Sequence, residues 1–184
     1  MAASRPIFMK LIARAEGLRK LRAIRSRFAE HINAAYEPHA KNCDTCDTKG
    51  ACCLDAHFVN VHVTKLEAAA IVEVLDELSE EQRGRIEKRI AETISRYGLA
   101  DAGDTFSQTY ACPLFEPLAG CLVHGKAKPL PCIHHACYEN EIDLPPDELL
   151  DEAAEQVEKL NKRVYGDRPV RWLPLPVAVE TEQG

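Results

Sequence analysis

Apolar residues recur at intervals of three and four near the start of the chain, which predicts one amphipathic helix over residues 5–35. The apolar stripe is formed by Ile7, Phe8, Leu11, Ile12, Ala15, Leu18, Leu21, Ile24, Phe28 and Ile32. Gly17 lies in the middle of this helix, where glycine costs about 1 kcal/mol relative to alanine. Pro38 ends the segment, so residues 1–38 are expected to form an N-terminal helical unit.

A short strand is predicted over residues 57–63, because apolar and polar residues alternate there. Val59, Val61 and Val63 are expected on one face, and Phe58, Asn60 and His62 on the other. Two helices follow, and each begins with a capping box, formed by Thr64 with Glu67 and by Ser79 with Gln82. Gly98 is the expected end of the second helix.

The last predicted helix covers residues 145–166, from Pro145 to Gly166. Residues 167–184 are expected to be extended against the body and then frayed over residues 180–184. Residues 100–140 show no helical periodicity. With 184 residues, the chain is predicted to be a single mainly α domain, residues 1–184, with a small β element and irregular cysteine loops among about four helices.

The composition excludes some protein classes. The 46% hydrophobic and 28% charged residues are ordinary for a globular protein and argue against wholesale disorder. No apolar run approaches the roughly 20 residues that a membrane span needs. The N-terminus also lacks the apolar core of a signal peptide, because Lys10 and Arg14 interrupt it. We therefore expect a cytoplasmic protein without a membrane span.

Charge is distributed unevenly along the chain. Residues 1–41 hold nine Lys and Arg against three Glu, a net of +6, so the remainder carries −12 within the overall −6. Such asymmetry indicates either a basic helix that binds nucleic acid or a protein partner, or a helix face that docks on the chain's own acidic body. The second interpretation is the simpler one.

Eight cysteines form two groups that point to metal chemistry. The first group is Cys43, Cys46, Cys52 and Cys53, and the second is Cys112, Cys121, Cys132 and Cys137. In a reducing compartment, clustered cysteines more often bind metal or do redox chemistry than form structural disulfides. A Cys-x-x-Cys turn can present two sulfurs to one metal, and Gly50 lets the chain turn back. Residues 43–137 are therefore predicted as a metal-binding core in which all eight cysteines are candidate ligands.

Two other interpretations of the cysteines remain open. Free cysteines are common core residues, which would explain one or two of the eight. A disulfide framework would require an oxidising compartment.

The cysteine pattern resembles that of a family of zinc- or iron-chelating proteins named for a Cys-x-x-Cys-x-x-Cys-Cys motif. The matching positions are Cys43, Cys46, Cys52, Cys53, Thr64, Glu67, Cys112, Pro113, Cys121, Val123, Pro129 and Cys132. The chain departs from the family pattern in its five-residue gap before Cys52, in Lys128 where Arg is usual, and in His124 where an aromatic is usual. The family is similar in motif to the lysine methylase that modifies flagellin, which implies an iron–sulfur cluster.

The sequence does not decide which metal is bound. Eight sulfurs suffice for two four-cysteine zinc sites or for one [4Fe–4S] cluster with spare thiolates, and the resemblance slightly favours iron–sulfur. In an extended backbone, Cys52 and Cys53 would point in different directions and would more easily serve two centres than one. His124, His134 and His135 are candidate nitrogen ligands, and Lys126 and Lys128 would favour nearby thiolates. Glu67 is interpreted as a helix cap, not as a catalytic base.

Three functions follow from these observations. The leading one is a metal-binding protein that serves chelation, metal delivery or electron transfer. The second is a metal-dependent protein-modifying enzyme of the methylase type, which only the resemblance suggests, since the chain has no glycine-rich nucleotide fingerprint. The third is a zinc-stabilised module that binds nucleic acid or a partner through residues 1–38. The sequence assigns no catalytic residue and leaves open whether the protein is an enzyme.

Overall fold

The computed structural model of this chain describes residues 10–41, 46–56 and 59–184. These residues form a mainly α structure, as predicted. Its helices are α1 (Arg14–Ala35), α2 (Ala51–Leu54), α3 (Lys65–Asp76), α4 (Glu80–Tyr97), α5 (His124–Ala127), α6 (Leu130–His134), α7 (Asp147–Tyr165) and α8 (Leu175–Gln183). No helix in the described ranges is both long enough and apolar enough to cross a bilayer.

The β structure consists of two antiparallel pairs of short strands. Strand β1 (His62–Val63) pairs with β4 (Leu173–Pro174), with His62 opposite Pro174. Strands β2 (Phe115–Glu116) and β3 (Gly120–Cys121) form a hairpin in which Phe115 lies opposite Cys121. The small β element is therefore confirmed.

The face of β1 that carries His62, opposite the valine face, is buried as well, because His62 is only 5% exposed. Its ring stacks on Phe106 with 4.3 Å between centroids, and Nε2 donates a hydrogen bond to the Thr105 carbonyl over 3.0 Å. The loop before β2 covers this face of β1, so both faces are buried. Strand β1 is also shorter than predicted, and residues 57 and 58 lie outside the described residues.

Helix α1 begins at Arg14 and not at residue 5. Residues 1–9 lie outside the described residues, and residues 10–13 are not helical. The Ile12 amide instead donates to the Arg163 carbonyl over 2.9 Å, which ties the segment before α1 to the end of α7. From Leu18 to Ile32 the predicted apolar stripe faces the core.

Gly17 is a packing position and not only a weak point of α1. It is buried, and a Cβ at this position would lie 2.4 Å from Val164 Cγ2 and 3.5 Å from Leu66 Cδ1. Because a side chain would collide with α7, the missing Cβ lets α1 and α7 approach closely.

Both predicted capping boxes are present. The Glu67 amide donates to Thr64 Oγ1 over 3.3 Å, and the Thr64 amide donates to Glu67 Oε2 over 2.9 Å. Ser79 and Gln82 make the same pair of bonds at the start of α4. Gly98 ends α4 with a φ of +61°, as its position predicted.

The predicted extended and frayed tail is wrong, because residues 175–183 form α8. Leu175, Val177 and Val179 are buried in this helix, which packs against α3 and α4. Pro176 sits in the first turn, where its missing N–H has no intrahelical partner to lose. Four predicted helices thus correspond to α1, α3, α4 and α7, and α8 is added to the same core.

Candidate functional site

Five cysteines from separate segments lie close enough to influence one another's ionisation. We call Cys52, Cys53, Cys112, Cys121 and Cys132 the thiol cluster. They come from α2, from the segment before β2, from β3 and from α6. The Cys112 amide donates to the Cys53 carbonyl oxygen over 2.7 Å, so the two cysteine groups predicted from the sequence meet in space.

Gly50 and Phe115 fix the position of α2. Gly50 precedes α2 with a φ of +84°, a conformation that residues other than glycine rarely adopt. A Cβ on Gly50 would lie 2.1 Å from Phe115 Cζ, so the phenyl ring packs directly over the glycine backbone. Cys52 and Cys53 are therefore helical and not extended, which removes the geometric argument that they must serve two separate centres.

The hairpin and α6 position the other thiols. The Leu122 amide donates to the Leu114 carbonyl over 3.0 Å, which holds Cys121 beside the segment that carries Cys112. Cys132 lies in α6, which packs on α1 and places the rings of His134 and Phe28 in a stack with 6.3 Å between centroids.

Cys132 is the electrostatic centre of the thiol cluster. Burial is the main cause that raises its pKa, and charge on Cys112, Cys121 and Cys52 adds to the increase. Charge on Cys132 in turn contributes to raising the pKa of Cys53, after the hydrogen bond to Cys52 and burial. Cys132 therefore interacts with each of the other four thiols.

The thiols differ in how readily they ionise. A hydrogen bond from the Cys53 thiol lowers the pKa of Cys52 to about 6, although burial opposes this shift. Burial raises the pKa of Cys112 to about 11 and also raises the pKa of Cys121. The hydrogen bond within the Cys52–Cys53 pair thus favours ionisation of Cys52, whereas burial disfavours ionisation of Cys112 and Cys121.

The other three predicted cysteine ligands are placed differently. Cys43 lies outside the described residues. The Cys46 sulfur is 3.8 Å from the Thr48 hydroxyl, and Cys137 is exposed, with its carbonyl accepting a hydrogen bond from the Lys41 amide over 2.7 Å. Of the eight predicted ligands, the structure thus brings together five.

The described residues do not contain a ready-made coordination geometry. Within residues 10–41, 46–56 and 59–184, no three side chains among His, Cys, Asp and Glu are arranged to hold a metal ion. The thiol cluster is consequently a gathering of soft sulfur donors whose atoms would have to draw together to coordinate one ion.

The candidate histidines lie beside the thiol cluster. His134 Nε2 is 3.2 Å from the Pro146 carbonyl, so this ring has a structural partner. Partial burial lowers the pKa of His124 and of His135, and the positive charge of Lys128 adds to both shifts. Both imidazoles are therefore neutral at pH 7.

Glu67 acts as a helix cap, as predicted, and it is one of two buried charged side chains near the site. Burial raises the pKa of its carboxyl group, although the bonds from Thr64 and the charge of Arg25 oppose this increase. Arg25, only 6% exposed, is the other buried charge. Sequence reasoning missed Arg25, but its position on the same stripe as Leu21 and Phe28 was a signal for it.

The basic residues of α1 are partly used within the molecule. Arg14 pairs with Glu182 over 3.0 Å, and Arg22 pairs with Glu73 over 3.4 Å. Lys20 pairs with Glu16 on the same helix over 2.8 Å. The pairs of Arg14 and Arg22 are those expected if the basic face docks on the acidic body of the chain.

Comparison of the chain with family models, with curated proteins and with solved structures gave no match. The argument about function therefore depends on the site itself.

Proposed function

We propose that the thiol cluster binds a metal centre, either zinc or an iron–sulfur cluster, and that the protein serves chelation, metal delivery or electron transfer. The observation that carries this proposal is the meeting of the two cysteine groups, which the hydrogen bond from the Cys112 amide to the Cys53 carbonyl oxygen joins. The resemblance to zinc- or iron-chelating cysteine proteins agrees with it.

The electrostatics of the thiol cluster favour a cation. Burial holds Cys112 and Cys132 in their protonated form, and each thiolate would raise the pKa of its neighbours. The nearby positive charges that oppose this are Arg89, beside Cys112, and Lys128, beside Cys121 and Cys132. Two partly buried cations are a weak match for several partly buried thiolates, whereas a bound metal favours deprotonation of every sulfur that it binds.

The donor set fits zinc or an iron–sulfur cluster by its chemistry, because both take four thiolates and both prefer soft sulfur ligands. Since Cys132 interacts with each of the other four thiols, it belongs to the four-sulfur set that we propose. A bound metal would supply a rigid cross-link between α2, the hairpin and α6, and an iron–sulfur cluster would also supply electron transfer.

Elemental analysis of the full chain, purified without oxygen, tests this proposal. We expect either stoichiometric zinc in a colourless sample, or iron with acid-labile sulfide and the visible absorption of an iron–sulfur cluster. A folded protein that contains neither, and that takes up neither after reconstitution, would show that the thiol cluster is structural or redox-active only.

The metal-binding proposal is stronger than the nucleic-acid proposal. Contacts such as Arg14 with Glu182 and Arg22 with Glu73 already employ cations of α1 within the molecule. Phosphates of a nucleic acid would have to compete with these carboxylates, although surface ion pairs of this kind contribute little. The methylase-like proposal still depends on the resemblance alone.

A further inference from the structure

A groove of about 700 Å³ lies beside the thiol cluster, between α1, α3 and the α5–α6 segment. Its volume falls in the range of small-molecule sites in proteins, about 300–1,000 Å³. Ile133, the residue after Cys132, is among its lining residues. The groove is therefore large enough to hold a small molecule, and it adjoins a residue next to Cys132 in the chain.

The charges that line the groove are incompletely balanced within the described residues. Arg22 pairs with Glu73, and Lys126 pairs with Glu77. Glu37 is the third carboxylate that lines the groove. These contacts leave two further cations of the lining, Arg25 and Lys128, without an ion pair to the carboxylates that line the groove.

Arg25 is the buried cation. It is 6% exposed, its Nη2 donates to the Lys126 carbonyl, and its Nε has no hydrogen-bond partner among the described residues. The charge of Glu67 favours the guanidinium and so helps to keep it ionised in spite of burial. A buried guanidinium with an unused donor at the wall of a groove is suited to an anionic ligand.

Lys128 is the half-buried cation, and it belongs to both sites. It lines the groove, and its charge acts on Cys52, Cys121 and Cys132 in the thiol cluster. His124 and His135 also line the groove and present neutral imidazoles near the same ammonium group.

We propose that this groove binds a small oxyanionic ligand, a carboxylate or a phosphate monoester, through Arg25 and Lys128. The guanidinium supplies fixed N–H donors at the wall, and the ammonium of Lys128, whose charge also acts on the thiol cluster, supplies a mobile charge. The proposal goes beyond metal binding and does not depend on it, because both cations belong to the polypeptide.

A nuclear magnetic resonance titration of the full chain tests it, with succinate as the carboxylate probe and glycerol phosphate as the phosphate probe. We expect saturable shifts of the backbone amides of Ala29, Ala70 and Gly125, which line the groove. Saturation by succinate alone would indicate that the groove binds a carboxylate. Saturation by glycerol phosphate alone would indicate that it binds a phosphate monoester. Saturation by both probes would indicate that it recognises the oxyanion that they share.

Matched charge removals locate the site. Lys128→Gln should weaken binding by about tenfold, the loss expected for one charge-assisted contact. Lys88→Gln, on the exposed side of α4 and outside the groove, should leave binding unchanged. Arg25→Lys keeps the positive charge but loses the planar set of guanidinium N–H donors. Once circular dichroism has shown that this variant folds, it should also bind the probes more weakly.

The proposal is overturned if neither probe shifts the groove resonances at low ionic strength, or if Lys128→Gln binds like the unmodified chain. Equal weakening by Lys128→Gln and Lys88→Gln would also overturn it, because it would reveal attraction to overall charge only. Metal content is measured separately, so a failure of the oxyanion site and a failure of the metal proposal are distinguishable.

Discussion

The backbone N–H of Cys112 donates a hydrogen bond to the carbonyl oxygen of Cys53, with 2.7 Å between the two atoms. A second bond from the Tyr110 amide to the Val59 carbonyl, over 3.0 Å, joins the same two segments. Main-chain contacts therefore hold the two cysteine groups together. The polypeptide itself therefore keeps Cys53 and Cys112 adjacent.

Replacing Gly50 should disturb the thiol cluster. In Gly50→Ala, the new Cβ would collide with the Phe115 ring, and alanine would be strained at a φ of +84°. We expect a loss of stability of about 2 kcal/mol, measured by urea unfolding, and faster reaction of the cluster cysteines with a thiol reagent.

Gly125→Ala is the matched control, because a Cβ at Gly125 would have no atom within 4 Å and its φ is not positive. This variant should keep the stability and thiol reactivity of the unmodified chain. Equal behaviour of the two variants would show that the contact between Gly50 and Phe115 does not position α2.

Two helix glycines should respond to alanine in opposite directions. Gly84→Ala, in the exposed part of α4, should stabilise the protein by about 1 kcal/mol, because alanine is the better helix former and the new Cβ meets open space. Gly17→Ala gains the same propensity but collides with Val164, and such overpacking costs about 1–3 kcal/mol.

Thermal and urea unfolding of both variants give the comparison. Gly17→Ala should be the less stable of the two, and the double variant Gly17→Ala with Val164→Ala should relieve the collision. Stabilisation of the same size in both single variants would contradict the close approach of α1 and α7.

Protonation of buried His62 should destabilise the fold in mild acid. Burial lowers the pKa of His62 below its usual value near 6.5, so the unfolded chain takes up this proton at a higher pH than the folded chain does. Stability is therefore expected to fall as pH drops below about 6.5, by at most about 1.4 kcal/mol per pH unit, until the folded-state pKa is passed.

His62→Gln removes this titration while keeping a donor for the Thr105 carbonyl. At pH 7.5 the free energy of unfolding of this variant should be lower than that of the unmodified chain, because the substitution removes the ring stack on Phe106. Between pH 6.5 and 5, however, its free energy of unfolding should fall less than that of the unmodified chain. Parallel pH profiles for the two proteins would mean that other groups cause the acid sensitivity.

Local signals in the sequence predicted local structure well. The capping boxes at Thr64 and Ser79 and the terminating glycine at Gly98 depend on neighbours within a few residues, and all three are present. Helix α8 was missed because Pro174 and Pro176 suggested an extended tail, although proline is tolerated in a first turn.

The candidate site was predictable only in part. The sequence indicated that two cysteine groups meet, but it could not select the five thiols, because their convergence depends on long-range contacts such as that between Cys112 and Cys53. At Cys52 and Cys53 the sequence favours an extended backbone, whereas the structure places both residues in helix α2. The sequence analysis missed the burial of Arg25, although this residue lies on the same helix face as Leu21 and Phe28.

The metal-to-protein ratio of a Cys132→Ser variant, compared with Cys137→Ser, tests the central claim most directly. Both changes remove one sulfur, but Cys132 interacts with all four other members of the thiol cluster, whereas Cys137 is exposed near Lys41. With folding checked by circular dichroism, Cys132→Ser should lose most of its metal and Cys137→Ser should retain it. Full metal content in Cys132→Ser would contradict a metal centre in the thiol cluster.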